Sequence, residues 1–175
     1  LKPILITSII GPNCACKTSL LNCVSGFYHP SKGEIRYGSE RLTHYSPHKV
    51  TKLGIARAFQ NLELFSGLSV LDNLLLARHT NLKYNFLQAV IYFGKASRME
   101  AENRAYVEDV IDFMGLSSFR YSPVGILPFG VRKRVDMARA LAMRPKLLLL
   151  DEIMSGMAVE EKEDIASYIM DVHRD

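Results

Sequence analysis

The chain has 175 residues, of which 48% are hydrophobic and 23% charged, and these proportions suit a single globular domain with a buried core. The net charge of +4 comes from scattered side chains and does not indicate a nucleic-acid partner. The three cysteines lack the spacing of a disulfide scaffold and fit a reducing compartment. No apolar run approaches the ~18 residues of a membrane span.

Strand patterns alternate with helical patterns along the chain. Apolar or alternating runs predict strands over residues 4–10, 34–37, 55–59 and 147–150. Apolar residues at helical spacing predict helices over residues 18–24, 46–54, 69–114, 131–142 and 159–173. This alternation predicts an α/β fold with a mostly parallel sheet flanked by helices and with an inserted helical subdomain. Because the sequence starts within a predicted strand and stops within a predicted helix, we expect a fragment truncated at both ends.

The turn between the first strand and the first helix has the composition of a phosphate-binding loop. It consists of Gly11, Pro12, Asn13, Cys14, Ala15, Cys16, Lys17, Thr18 and Ser19. A lysine at such a helix start can reach the outer phosphates of a nucleotide, the hydroxyl after it can hold Mg²⁺, and the helix N-terminus adds positive charge. The pattern G-x-x-x-x-G-K-[ST] fails at Cys16, so the loop alone leaves an ordinary strand–turn–helix junction equally open.

Two adjacent carboxylates, Asp151 and Glu152, follow the apolar strand over residues 147–150. Such a strand places them at the carboxyl edge of the sheet, where ligands bind in α/β folds. Asp151 could hold Mg²⁺ and Glu152 could orient or deprotonate an attacking water, although two solvated acids at a turn are the alternative. We expect residues 4–10 and 147–150 to be parallel neighbours, with Lys17 and Asp151 at the same edge of their sheet.

Residues 127–152 (LPFGVRKRVDMARALAMRPKLLLLDE) resemble the signature helix and Walker B strand of ABC transporter ATPases. Residues 11–35 resemble the Walker A loop of that family, residues 56–79 its glutamine loop and residues 155–158 its D-loop. The four motifs occur in the family's order and cover nearly the whole chain. The amino-acid sequence of these motifs is most similar to that of ATPases of branched-chain amino acid importers. The resemblance implies a P-loop NTPase-like fold.

The resemblance also implies roles for individual residues. Lys17 would contact the outer phosphates of ATP, with Ser19 beside it, and Thr18 would bind Mg²⁺. Gln60 would touch the metal or the attacking water and relay the nucleotide state to membrane subunits. Asp151 would support Mg²⁺, and Glu152 would be the catalytic carboxylate.

The partners that the resemblance implies begin with a second ATP-binding subunit in a head-to-tail dimer, where Gly130 would approach the γ-phosphate on the other subunit. Membrane-spanning permease subunits, and indirectly a substrate-binding protein, would complete an importer at the cytoplasmic face of the plasma (inner) membrane. Nucleic acid is not among the expected partners. Residues 1–175 would form one ATP-binding domain, with a helical subdomain and signature loop over about residues 66–130.

The chain departs from the family pattern in its binding loop. Cys14 and Cys16 stand where the family has glycine, and Ile153 stands where a proline usually follows the glutamate. A catalytically impaired remnant that acts only as an interaction module therefore stays open, as does a non-transport ABC ATPase. A thiolate zinc site is disfavoured because Cys14, Cys16 and Cys23 have no fourth ligand at a usual spacing.

Overall fold

The computed structural model describes residues 6–11, 16–58, 64–79 and 93–174. The strands in these ranges are β1 (Arg36–Tyr37), β2 (Glu40–Arg41), β3 (Ile55–Ala58) and β4 (Leu147–Leu150). The α-helices are α1 (Lys17–Val24), α2 (Pro47–Lys52), α3 (Val70–His79), α4 (Phe93–Phe113), α5 (Phe129–Ala142) and α6 (Val159–Arg174). Two 3₁₀ turns, Ser117–Phe119 and Val124–Ile126, lie between α4 and α5.

The core strands β3 and β4 run parallel. Arg57 lies opposite Leu149 and Ala58 opposite Leu150, so both strands end at the same edge. A parallel pair needs a crossover connection, and helices α3 to α5 lie in that crossover. The chain thereby returns to the sheet with Asp151, the first residue after β4, beside the end of β3.

The predicted strand over residues 4–10 is not confirmed. Residues 6–10 lie outside any strand, and residues 1–5 lie outside the described part of the chain. Ile10 is 92% exposed, which is incompatible with a strand covered on both faces. The expected pairing with Leu147–Leu150 is wrong for residues 6–10, because the strand beside β4 is β3. An apolar run predicts burial, but it does not specify the partner strand.

Turn residues set the boundaries of the hairpin formed by β1 and β2 and of helix α2. The strand predicted over residues 34–37 is shorter and belongs to a hairpin, in which Arg36 pairs with Arg41 around Gly38. Gly38 has φ +60°, a conformation that favours glycine at a tight hairpin turn. The predicted helix start at Ser46 and Pro47 is confirmed, since Ser46 is the N-cap of α2 and Pro47 its first residue.

Helices α3, α4 and α5 pack against one another, and α5 also packs against β3. The helical pattern predicted over residues 69–114 is confirmed at α3 and α4, while residues 80–92 lie outside the described part of the chain. Val107, Ile111 and Met114 of this pattern are fully buried, because residues three and four apart share one helix face. Their core is continuous with Ala58 of β3, so these helices and this strand share a hydrophobic core.

Helix α5 begins two residues earlier than the sequence predicts. The sequence predicts a helix from residue 131, but Phe129 is already helical and Gly130 lies buried in the first turn. Pro128 is the N-cap, with φ −53°. Proline suits a helix start because its φ is fixed near helical values and the first helical N–H groups have no partner within the helix. The shift places Gly130 on the helix rather than before it.

Candidate functional site

The turn into α1 is closed by Lys17. Its Nζ donates a hydrogen bond to the backbone oxygen of Gly11 at 2.8 Å, so the lysine side chain reaches back to the residue six positions earlier. Cys16 directly precedes the helix in the left-handed region, with φ 55° and ψ 24°, and is exposed. This conformation favours glycine, since a Cβ costs ~1–2 kcal/mol there. Position 16 therefore has a backbone conformation that suits the glycine of the phosphate-loop pattern, and a cysteine occupies it.

Thr18 and Asp151 meet at the carboxyl edge of the sheet, although they lie 133 residues apart in sequence. Thr18 Oγ1 donates to Asp151 Oδ1 at 3.4 Å, and Asp151 is only 4% exposed. Two oxygen ligands of one Mg²⁺, each about 2.1 Å from the ion, lie within about 4.2 Å of each other. The separation of the hydroxyl and carboxylate oxygens is therefore compatible with two ligands of one Mg²⁺ ion, and the metal assignment stays a prediction.

Arg57 is the cationic partner of Asp151. Its Nη2 donates to Asp151 Oδ2 at 2.7 Å, and its Nη1 donates to Asn22 Oδ1 at 2.6 Å. The side chains of Arg57 and Asp151 are 6% and 4% exposed, so this is a buried ion pair. Sequence reasoning missed both Arg57 and Asn22. The available signal was a charged residue inside the apolar strand over residues 55–59, because a buried charge needs a partner.

Glu152 lies at the turn that follows β4. Its φ is 48°, its side chain is exposed, and its backbone oxygen accepts a hydrogen bond from the Ser155 N–H at 2.9 Å. A left-handed conformation at a residue other than glycine is strained, and such strain is concentrated at functional sites. The geometry turns Glu152 away from the buried position that Asp151 occupies one residue earlier, so the two predicted acids have different environments.

The start of α5 contacts the first turn of α6. A Cβ at Gly130 would overlap the carboxylate of Glu161, which therefore lies directly against the glycine. Glu161 Oε2 also accepts a hydrogen bond from the Ala158 N–H at 3.1 Å, as a glutamate in the first turn of a helix can. Sequence reasoning missed Glu161, because nothing in the local pattern indicates a contact between α5 and α6.

Several predicted site residues cannot be placed. Pro12, Asn13, Cys14 and Ala15 lie outside the described residues, as does Gln60. Ser19 is described and lies exposed on α1. Within the described ranges, no group of three or more histidines, cysteines and carboxylates could hold a metal ion, and no helix is long and apolar enough to cross a membrane.

A lysine and a threonine at the start of α1, with the threonine hydrogen-bonded to an aspartate at the end of a parallel strand, are typical of a P-loop nucleotide-binding fold. The sequence profile of the ABC transporter family matches residues 1–155 of this chain. The chain therefore belongs to the ABC transporter family, as the order of its four motifs predicted.

Relatives and solved structures agree with this assignment. The chain is 35% identical over 164 residues to the high-affinity branched-chain amino acid transport ATP-binding protein BraF of Pseudomonas aeruginosa, covering 94% of this chain and 64% of BraF. It is 30% identical to the corresponding LivG protein of Escherichia coli, covering 98% of this chain and 68% of LivG. The ADP conformation of the ATP-binding cassette MJ1267 superposes with a TM-score of 0.75 at 25% identity, covering 94% of this chain and 64% of that one.

Proposed function

We propose that this chain is the nucleotide-binding part of an ABC importer ATPase that couples ATP binding and hydrolysis to uptake of branched-chain or similar amino acids. The observation that carries the proposal is the meeting of Thr18 and Asp151 next to Lys17. The printed names of BraF and LivG, branched-chain amino acid transport ATP-binding proteins, support the substrate class. They also favour transport over a non-transport ABC ATPase.

The site residues divide the chemistry of phosphoryl transfer to water. Lys17 would leave its contact with Gly11 and bind the outer phosphates. Mg²⁺, held by Thr18 Oγ1 and Asp151 Oδ1, would supply positive charge against the phosphate oxygens when it is bound. The exposed carboxylate of Glu152 would orient the attacking water and accept its proton, while Gln60 would contact the metal or the water. Binding and hydrolysis thus depend on different residues.

The proposed second subunit would face the start of α5. A helix N-terminus attracts anions through its free N–H groups and its dipole. In a head-to-tail dimer, the backbone around Gly130 would approach the γ-phosphate held by the other subunit. Phe129 next to it is 41% exposed, which leaves an apolar side chain at this surface for a partner to cover.

The proposed permease contact is an apolar cleft of about 700 Å³ between α2, β3, α3 and α5. Its exposed walls include Phe27, Phe65 and Leu76, which are 49%, 53% and 41% exposed. Arg57 also lines the cleft. Exposed apolar walls of this kind mark a surface that a partner covers, and an apolar helix of a permease subunit would suit it. The chain would then lie peripherally at the cytoplasmic face of the membrane, with a separate binding protein supplying the amino acid.

One observation favours the alternative of a catalytically impaired remnant. Cys16 occupies the left-handed position before Lys17, where its side chain would crowd a bound phosphate. A remnant would keep the fold and the apolar cleft but would not bind ATP. The same cysteine therefore makes ATP affinity the decisive measurement.

The proposed function is tested by calorimetric titration of ATP with Mg²⁺, under reducing conditions, into the chain and into its Cys14→Gly/Cys16→Gly variant. We expect binding by the glycine variant and its loss in the same variant with Lys17→Ala. Lys52→Ala, an exposed lysine at the end of α2, is the matched control and should leave the affinity unchanged. Failure of the glycine variant to bind ATP would reject the importer ATPase and favour the remnant.

A further inference from the structure

The two carboxylate oxygens of Asp151 have different partners. Oδ1 accepts from the Thr18 hydroxyl and Oδ2 accepts from Arg57. A carboxylate held at one oxygen can still turn, whereas one held at both oxygens keeps a single orientation. Arg57 therefore determines which oxygen of Asp151 faces Thr18.

Arg57 also connects Asp151 to helix α1. Its second amino group donates to Asn22, which lies four residues after Thr18 and therefore on the same face of α1. Its planar guanidinium can hold two acceptors at fixed positions, which an ammonium group cannot do. One buried side chain of β3 thus fixes the distance between the helix that carries Thr18 and the strand end that carries Asp151.

We propose that Arg57 is a positioning residue of the magnesium–nucleotide site, holding Asp151 with Oδ1 turned toward Thr18. The proposal rests on the proposed function, since it assigns the metal to that pair of oxygens. Groups that hydrogen-bond a metal-binding carboxylate orient it, and their loss typically lowers metal affinity about 10- to 100-fold. Arg57 also compensates the buried charge of Asp151 before any metal binds, so the site is arranged in advance.

The first measurement asks whether the pair is coupled. Urea unfolding is measured for Arg57→Gln, Asp151→Asn and the double variant. Because the two side chains are buried together, we expect a coupling of about tenfold in the unfolding equilibrium. The double variant should be at least as stable as the less stable of the two single variants. Arg98→Gln, which breaks the exposed pair with Glu102, is the control and should change little. Additive effects would overturn the proposal.

The second measurement separates positioning from general stabilisation. A non-hydrolysable ATP analogue is titrated with Mg²⁺ and with EDTA, using the Cys14→Gly/Cys16→Gly chain as parent. We expect Arg57→Gln to lower the gain in affinity that Mg²⁺ provides by about tenfold or more, with little change in EDTA. Arg57→Lys keeps the positive charge beside Asp151, and we expect it to keep the fold. It should recover part of the gain in affinity that Mg²⁺ provides.

The possible failures are distinguishable. An unchanged Mg²⁺-dependent gain in both Arg57 variants would overturn the positioning role, even if both are less stable. Equal losses in Mg²⁺ and in EDTA would also overturn it, because they indicate a structural role alone. If the parent binds the analogue under neither condition, the proposed function fails and the metal assignment fails with it, whatever the unfolding measurements give.

Discussion

Cys16 carries backbone strain that glycine would remove. The residue has a left-handed backbone in the folded protein, so its strain lowers folding stability. We expect Cys16→Gly to raise the free energy of unfolding by about 1 kcal/mol, the Cβ penalty less the added freedom of glycine in the unfolded chain. Urea unfolding measures it. Cys23→Ala, half-buried within α1, is the control and should not stabilise.

ATP affinity should respond to Cys16 more than to Cys14. Position 16 lies directly before Lys17, at the start of α1, where the backbone would approach the phosphates of bound ATP. Replacing its side chain by hydrogen removes crowding there, and a change of ~1.4 kcal/mol corresponds to tenfold in affinity. Calorimetry under reducing conditions compares the chain, Cys14→Gly, Cys16→Gly and the double variant. A larger gain from Cys14→Gly, or none from either, contradicts this order.

Glu152 should serve hydrolysis and not binding. In the protein with glycine at positions 14 and 16, we expect Glu152→Gln to keep ATP affinity but to lower turnover by about 100-fold or more, because the carboxylate acts on the water. Steady-state phosphate release and ATP titration measure the two effects. Glu160→Gln, an exposed acid at the start of α6, is the control. Comparable losses in affinity and turnover would assign Glu152 a different role.

The sequence predicted part of the site at the residue scale. Thr18 and Asp151 were predicted because each belongs to a local pattern, a loop–helix junction and a strand end. Arg57 and Asn22 could not be predicted in the same way, because their role arises from contacts between β3, α1 and β4. Local patterns identify residues that approach a ligand, whereas the residues that hold them in place depend on tertiary packing.

At the scale of elements, the contact between α5 and α6 depends on a glycine. Alanine at a helical position normally stabilises, but at Gly130 its Cβ must displace the Glu161 carboxylate from the Ala158 N–H. We expect Gly130→Ala to cost about 1 kcal/mol, the usual effect of losing a helix cap. Urea unfolding measures it, with Gly67→Ala as control because a Cβ at Gly67 has no neighbour within 4 Å.

A second variant, Glu161→Ala, tests why Gly130→Ala lowers the stability. In a protein carrying Glu161→Ala, the carboxylate is absent and Gly130→Ala should be neutral or stabilising. A loss of the same size in both backgrounds would show that the displaced carboxylate is not the reason. The comparison needs no nucleotide, so it stands apart from the proposed activity.

Helices were predicted more fully than strands. The helical pattern over residues 69–114 identified α3 and α4, because several turns of apolar residues reinforce one another. The strand predicted over residues 55–59 is β3, but the predicted pairing of β4 with residues 4–10 is wrong at residues 6–10. Strand pairing joins segments distant in sequence, and a single apolar run carries no information about its neighbour.

At the scale of the whole molecule, the apolar cleft should govern association with permease subunits. Leu76 lines the cleft and is 41% exposed, so Leu76→Glu would place a charge where the proposed permease helix packs. We expect about tenfold weaker binding to membranes that contain the permease subunits, measured by sedimentation. Met170→Glu, which is 49% exposed on α6 and lies outside the cleft, is the control.

Nucleotide affinity separates this effect from misfolding. ATP binding by the protein with glycine at positions 14 and 16 should be the same with and without Leu76→Glu. Equal binding of both variants to permease membranes would contradict the assignment of the cleft. A loss of ATP affinity together with membrane binding would indicate damage to the fold instead.

Arg57 borders the cleft and at the same time holds Asp151. An occupant of the cleft that shifted the guanidinium would also turn the carboxylate, so the two sites would share one free energy of coupling. Thermodynamic reciprocity then applies. If the occupant raises the affinity for magnesium–nucleotide by some factor, the nucleotide must raise the affinity for the occupant by the same factor. Replacing Arg57 would reduce both factors together.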